Sequence, residues 1–277
     1  MGNGQWFPAE WAGRVREFVR GEITPVVPRR AATVLLTREG PDGGRQVFLL
    51  RRRLSMGFAA GAYAYPGGGV DPRDAAAGAL AWAGPGREQW ARRLGVPPAD
   101  AQAIVCAAVR ETFEETGVLL AGPDTATVAA DTTGAGWEAD RAALAARELS
   151  LAALLARRSL LLRSDLLTAR ARWITPEFEP RRYDTWFFSA VLPPGQRTRN
   201  ASTEADRTVW MAPADALAGY ERGEMIMMPP TVATLRQLAT GAEPGPLDPV
   251  LVRVRTTGER IVLSWPGHEE FERTVER

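Results

Sequence analysis

The chain has 277 residues, 45% of them hydrophobic, and a formal net charge of +1. That length can bury a sizeable core in one large domain or two small ones, and the near balance of charge removes the global basic field that nucleic acid or an anionic membrane would call for. No lysine occurs, so any cationic grip on phosphate must come from arginine forks.

In chain order, Trp11 to Val19 reads as a short helix, with Pro25 and Pro28 preventing a longer one. Ala31–Thr37 and Val47–Arg51, separated by the turn-rich EGPDGGRQ, predict two hairpin strands. Tyr63 and Tyr65 alternate with alanines and lead into Pro66-Gly67-Gly68-Gly69, which ends a strand and opens a loop. Residues 71–98, rich in Ala, Gly, Pro and Arg, read as a partly helical insertion. The stripe Ile104, Val105, Ala108, Val109 and Phe113 predicts a helix from Asp100 to Thr116. Asp100 would cap it, and Gly117 ends it where a left-handed residue is usual.

After a loop from Pro123 to Gly136, Glu138 to Arg158 reads as one long helix and Leu160–Ala171 as a second helix or turn. Thr185–Val191 and Thr208–Met211 read as strands, Ala214–Arg222 and Pro230–Thr240 as helices. Val250–Arg255 and Ile261–Trp265 read as a hairpin around Thr257-Gly258. Strands and helices interleave without internal repeats or a long polar linker, which predicts a single α/β domain with insertions.

The single cysteine, Cys106, excludes an internal disulfide and reads as a packed core residue. The only histidine, His268, excludes a multi-histidine zinc site within one chain and reads as a surface residue. The N-terminal stretch lacks the pattern of a secretory signal, and the apolar runs are too short to span a bilayer. A cytoplasmic protein with no membrane and no nucleic-acid partner is expected. Trp6, Trp11, Trp82, Trp90 and Trp137 read as packing residues for the insertions.

The most informative segment is Arg110-Glu111-Thr112-Phe113-Glu114-Glu115-Thr116-Gly117. Helix positions three and four apart share a face, so Glu111 sits beside both Glu114 and Glu115, and Arg110 can pair with Glu114 one turn on. Three carboxylates at the C-terminal end of a helix repel one another and oppose the helix dipole. A hard divalent cation reverses that cost. A solvated acidic face is the alternative these residues leave open by themselves. The glycine run Gly67–Gly69 would let backbone N–H groups approach an anion, or it is a simple turn.

Taken together, RETFEETGV (Arg110–Val118) and the upstream Pro66-Gly67-Gly68 resemble the signature of the Nudix hydrolases, with Thr112 at the first apolar position as a mild departure. Residues 71–98 would be an insertion inside that signature. Its intermediate glutamate has no clear counterpart, since Gln102 stands at the usual distance before Arg110, with Asp100 nearby. Arg172–Pro193 and Met227–Leu235 resemble the branch of the family with such an insertion, whose animal members cleave coenzyme A and its acyl derivatives. Gly57 departs from the short upstream motif of many bacterial coenzyme A hydrolases, where an arginine would stand.

The resemblance implies a Nudix fold, an α/β/α sandwich around a mixed β-sheet with helical insertions. The domain would cover residues 26–240, with insertions at about 71–98 and 123–170, and residues 1–25 and 241–277 packed on it as terminal extensions. It implies Mg²⁺ or Mn²⁺ on Glu114 and Glu115, with Glu111 as ligand or water-orienting group and Arg110 orienting a ligand. Glu204, six residues before Trp210, is a candidate fourth carboxylate, and the choice of base between Glu111 and Glu204 stays open. Gly67, Gly68, Arg52 and Arg182 are candidates to bind substrate phosphate, Arg51, Arg53 and Arg181 standing beside the last two. The expected activity is hydrolysis of a diphosphate bond in a small nucleoside diphosphate derivative, coenzyme A or acyl-CoA first. NADH, ADP-ribose or a nucleotide sugar are alternatives with the same chemistry, and a non-catalytic nucleotide sensor is a third. The resemblance also admits a homodimer, for which the sequence shows no interface signal.

Overall fold

In the computed structural model, which describes residues 6–55, 59–75 and 80–277, the β-rich runs form strands slightly longer than the sequence predicts. Helix α1 (Trp11–Val19) precedes the hairpin of β1 (Arg29–Glu39) and β2 (Arg45–Arg52). Two short strands follow, β3 (Tyr63–Ala64) against β2 and β4 (Gly67–Gly69) against β1. Then come α2 (Pro72–Ala75), β5 (Trp82–Ala83), α3 (Arg87–Leu94) and the carboxylate helix α4 (Pro98–Thr116). Strand β6 (Ala121–Gly122), α5 (Ala135–Ala145), α6 (Leu151–Arg157) and β7 (Leu161–Arg163) lead to β8 (Thr168–Ile174) and β9 (Tyr183–Val191). The chain continues through β10 (Ala205–Met211), α7 (Pro213–Glu221), α8 (Pro229–Thr240), β11 (Pro249–Leu251), β12 (Arg253–Thr257), β13 (Arg260–Ser264) and β14 (Arg273–Glu276).

The main sheet runs β10-β2-β1-β9-β8-β11. β1 lies parallel to β9 and β8 parallel to β11, while the other neighbours are antiparallel, so the sheet is mixed. Successive residues of β1 point to opposite faces, yet Val34, Leu35 and Leu36 are all fully buried. Val34 and Leu36 pack with Ile104, Val105, Ala108 and Phe113 of α4, and with Trp90 of α3. Leu35, with Val47 and Leu49, packs with α1, α7, α8 and the three-stranded sheet β12-β13-β14. The sheet is thus covered on both faces, the α/β/α arrangement expected. Among the described residues no helix is long and apolar enough to cross a membrane.

Several local readings change. The long helix expected from Glu138 to Arg158 is broken, because Arg147 takes φ 62° and Ser150 starts α6 anew by accepting a hydrogen bond from the Ala153 N–H. Leu160–Ala171 is not helical. It supplies β7, a short 3₁₀ turn at Ser164–Leu166 and the start of β8, whose pairing with β9 outweighs the helical preference of its leucines and alanines. Asp100 does not cap α4, which begins at Pro98; its carboxylate instead binds Arg30 at 2.9 Å. His268 is half-buried rather than superficial, its ring tilted against Trp173 at 4.7 Å. Cys106 is buried in the core as expected, where burial pushes its thiol well above the usual range. Gly57 lies outside the described residues.

Candidate active site

The site is assembled where the C-terminal turn of α4 meets the glycine strand β4. Gly117 ends the helix at φ +74°, its N–H closing onto the Phe113 carbonyl at 2.8 Å, so the helix stops directly after the three glutamates. Arg110 is the hub. Its Nη1 donates to Glu111 at 2.8 Å and to both oxygens of Glu114 at 3.3 Å, and its Nη2 donates to the Gly69 carbonyl at 2.9 Å. The other side of the guanidinium is taken by Asp74, through Nε at 3.0 Å and Nη2 at 2.9 Å. Asp71–Ala75 therefore belongs to the site, although its composition reads as the start of an insertion.

Glu115 faces a different way. Its Oε2 accepts the Gly67 N–H at 2.8 Å and its Oε1 accepts the Ser202 hydroxyl at 3.0 Å. Burial pushes Glu111 up to about 7, and neighbouring Glu114 adds to the effect. Burial pushes Glu115 up to about 8, with the charge of Glu111 adding to it, and it also raises Glu114. Against the desolvation that its own burial imposes, the bonds to Asp74 and the charges of Glu111 and Glu114 hold Arg110 above its ordinary value. Asp74, Glu111 and Glu114 thus crowd around one buried guanidinium while Glu115 is buried within reach of the charge of Glu111, an uncompensated excess of negative charge in a poorly solvated place.

Both glycine expectations are corrected. Gly67–Gly69 is not an open anion cradle but a strand paired with β1, with Gly67 opposite Thr33 and Gly68 opposite Ala32. The N–H of Gly67 is already spent on Glu115. A Cβ on Gly67 would stand 2.5 Å from the Ala32 carbonyl, and one on Gly68 would stand 2.5 Å from the Glu111 carboxylate. Glycine is needed here so that a strand and a carboxylate helix can touch.

The arginines divide as well. Arg182 is not brought to the cluster; it donates to the carbonyls of Thr175 at 3.0 Å and Val26 at 2.7 Å, fastening the β8–β9 turn to the N-terminal segment. Arg51 is tied to Asp206 at 2.8 Å. Arg52 remains at the site's edge, its Nη1 3.7 Å from Glu204 and its buried Nε without a hydrogen-bond partner. Glu204 is about half exposed, and its charge is felt by Glu115. Sequence reasoning missed Asp74 and Ser202. Counting forward from the glycines, rather than back from Arg110, reaches Asp74; nothing in NASTEAD marks Ser202.

The sequence family described as the NUDT19 Nudix domain matches residues 87–238. The chain belongs to the Nudix hydrolases. A NUDIX hydrolase from Alicyclobacillus acidocaldarius is 31% identical, with a TM-score of 0.66, over 78% of this chain and 92% of its own. RenU, a Nudix hydrolase from M. Smegmatis, is 15% identical over 80% of this chain and 92% of its own, with a TM-score of 0.39. The NUDIX domain of Shewanella oneidensis NrtR, crystallised with ADP ribose, is 12% identical over 79% of this chain and 90% of its own, with a TM-score of 0.42. Membership of the Nudix family implies hydrolysis of nucleoside diphosphate derivatives.

The donor set of this Nudix site also fits the divalent ion such hydrolases use. Its candidate ligands are carboxylate oxygens, which suit a hard cation, and the raised pKa values of Glu111 and Glu115 mark charge that such a cation would offset. Among the described residues no three acidic groups are drawn into a closed cage, because Arg110 holds Glu111 and Glu114 while Gly67 and Ser202 hold Glu115.

Proposed function

We propose that this chain hydrolyses the diphosphate bond of a nucleoside diphosphate derivative, with Mg²⁺ or Mn²⁺ held by Glu111, Glu114 and Glu115. Coenzyme A or an acyl-CoA is the first substrate to try, because of the resemblance of Arg172–Pro193 and Met227–Leu235. The reading rests above all on the burial of Glu111, Glu114 and Asp74 around the single guanidinium of Arg110, with Glu115 buried beside them and held by Gly67 and Ser202.

The bound ion would neutralise phosphoryl charge and acidify water, which is what an anionic diphosphate requires. The chain's own residues supply the rest. Arg110 orients Glu111 and Glu114 while Asp74 anchors Arg110 from behind. Gly67 N–H and the Ser202 hydroxyl fix Glu115 in one rotamer. Arg52, with an unmet N–H at the edge of the site, is the candidate fork for the second phosphate. Glu204, on the loop into β10, competes with Glu111 as the base that takes the proton of the attacking water.

Residues 26–240 form the hydrolase domain, with the two termini as extensions on the α1 face. The partner is a small diphosphate rather than nucleic acid, and the location is the cytoplasm, in keeping with the near-neutral charge and the single buried cysteine. A homodimer remains compatible with all of this.

Purified protein is to be assayed on coenzyme A, an acyl-CoA, NADH, ADP-ribose and nucleotide sugars, each with Mg²⁺, with Mn²⁺ and with chelator. Metal-dependent release of a phosphomonoester is expected, fastest with coenzyme A or its acyl form. Release from another member of the panel would keep the chemistry and change the substrate. Tight ligand binding with no release under any condition would point to a sensor.

A further inference from the structure

Helix α5 lies in the segment between the carboxylate helix and β8 and carries none of the groups assigned to chemistry. Its Arg141 reaches the site nonetheless. The guanidinium is 13% exposed. Its Nη1 donates to the Glu114 carbonyl at 2.8 Å and to the Ala201 carbonyl at 3.4 Å. Its Nε donates to Glu138 on the same helix at 3.0 Å.

The two carbonyls belong to separate parts of the site. Glu114 is in the last turn of α4. Ala201 is in the loop that delivers Ser202 to Glu115 and Glu204 to Arg52. The two stretches also touch directly, through Arg199 N–H to the Thr116 carbonyl at 2.8 Å and Ala201 N–H to the Glu115 carbonyl at 3.3 Å. Glu138 pairs with Arg199 as well, at 3.5 Å, and the Arg199 guanidinium lies over Gly117, where a Cβ would stand 2.4 Å from its Nη2. α4 has no basic residue in its own last turn. The open carbonyls and negative dipole end of that turn therefore draw their cationic donor from α5.

We propose that Arg141 is a positioning residue of the hydrolase site: it sets the spacing between the helix end bearing Glu114 and Glu115 and the loop bearing Ser202 and Glu204, and thereby the affinity for the divalent ion. This rests on the ligand assignment above. α5 is held independently, by Trp137 against Phe113, by Asp140 with Arg158 and by buried Leu144, so losing the Arg141 head group leaves the helix docked.

The test is Arg141→Met, which keeps the aliphatic stem, read out without substrate. Amide hydrogen exchange at Arg199 and Ala201 should accelerate by about tenfold or more, and Mn²⁺ affinity measured by electron paramagnetic resonance should fall by about tenfold, the usual scale for groups that orient ligands. With the best substrate, kcat should fall while KM stays near its wild-type value. Exchange and Mn²⁺ affinity both unchanged in a folded Arg141→Met would overturn the proposal. If that variant does not fold, Glu138→Gln, which keeps the cation but loosens its aim, should move both readouts in the same direction, and no movement there is equally fatal. A wild-type protein that takes up no Mn²⁺ would sink the ligand assignment instead, and the exchange rates then decide the bridge alone.

Discussion

Asp74 and Arg110, 36 positions apart, form a two-point ion pair in which the carboxylate is 1% and the guanidinium 6% exposed. The Asp71 N–H, donating to Asp74 Oδ2 at 2.9 Å, holds the carboxylate in place. The pair keeps half of the guanidinium turned away from the glutamates. Asp74→Asn retains the shape but leaves the buried cation to Glu111 and Glu114 alone. Removing one partner of a buried pair costs about 3 kcal/mol or more, so the melting temperature should fall by roughly 6 °C or more, and Mn²⁺ should bind less tightly as Arg110 competes for its ligands. A thermal melt and a Mn²⁺ titration at wild-type values would show that the pair neither holds the fold nor frees the carboxylates.

The glycine strand yields a contrast between neighbours. At Gly68 the atom in the way is the far end of a flexible glutamate, so Gly68→Ala should fold and push Glu111 aside. At Gly67 the obstacle is the backbone of β1, so Gly67→Ala should destabilise the sheet itself. The expected outcome is a near-normal melt with activity down by about a hundredfold for Gly68→Ala, and a lowered melt for Gly67→Ala. Equal behaviour of the two in melting and turnover would contradict the geometry.

The carboxylate helix is legible from sequence because its information is local: Arg110, Glu111, Glu114 and Glu115 lie within two turns, and helical spacing alone puts them on one face. Strands β1, β2, β9 and β10 are legible for the same reason, from short β-branched and aromatic runs. What escapes is whatever depends on a distant partner. Asp74 sits in a stretch whose Ala, Pro and Arg content reads as filler, and its meaning appears only when α2 packs on α4. Ser202 acts on the carboxylate of Glu115 and Arg141 on the backbone carbonyls of Glu114 and Ala201, contacts between distant elements that no periodicity encodes. Arg182 fails as a phosphate fork for the opposite reason, since unpaired carbonyls of Thr175 and Val26 claim it first.

Glu114→Gln and Glu115→Gln separate ligand loss from misfolding. Glutamine fits both sites, and it removes a charge that the metal-free fold is better without. Each variant should melt at or above the wild-type temperature in chelator, yet lose about a hundredfold or more in turnover with Mg²⁺. A folded variant with near-normal turnover in either position would refute that position's assignment as a ligand.

The pH dependence of stability follows from the same buried charges, with a definite sign. Glu111 and Glu115 hold their protons in the folded state to about 7 and about 8, against 4.5 for an ordinary glutamate. Between those limits the folded chain binds more protons than the unfolded one, so stability falls as pH rises through the window. Asp71, held down at about 2 by Arg73, acts only in stronger acid and does not overlap. His268, lowered by its burial, contributes the opposite slope on the acid side of about 6.5, so the decisive comparison is with Glu115→Gln, which keeps His268. In chelator the wild-type melting temperature should drop by on the order of 5 °C from pH 5.5 to 8.5, and the drop should shrink in Glu115→Gln. Mn²⁺ binds the ionised carboxylates and should reverse the slope at the alkaline end. Parallel melting curves for wild type and Glu115→Gln across this range, with and without Mn²⁺, would mean that Glu115 is already ionised in the metal-free fold.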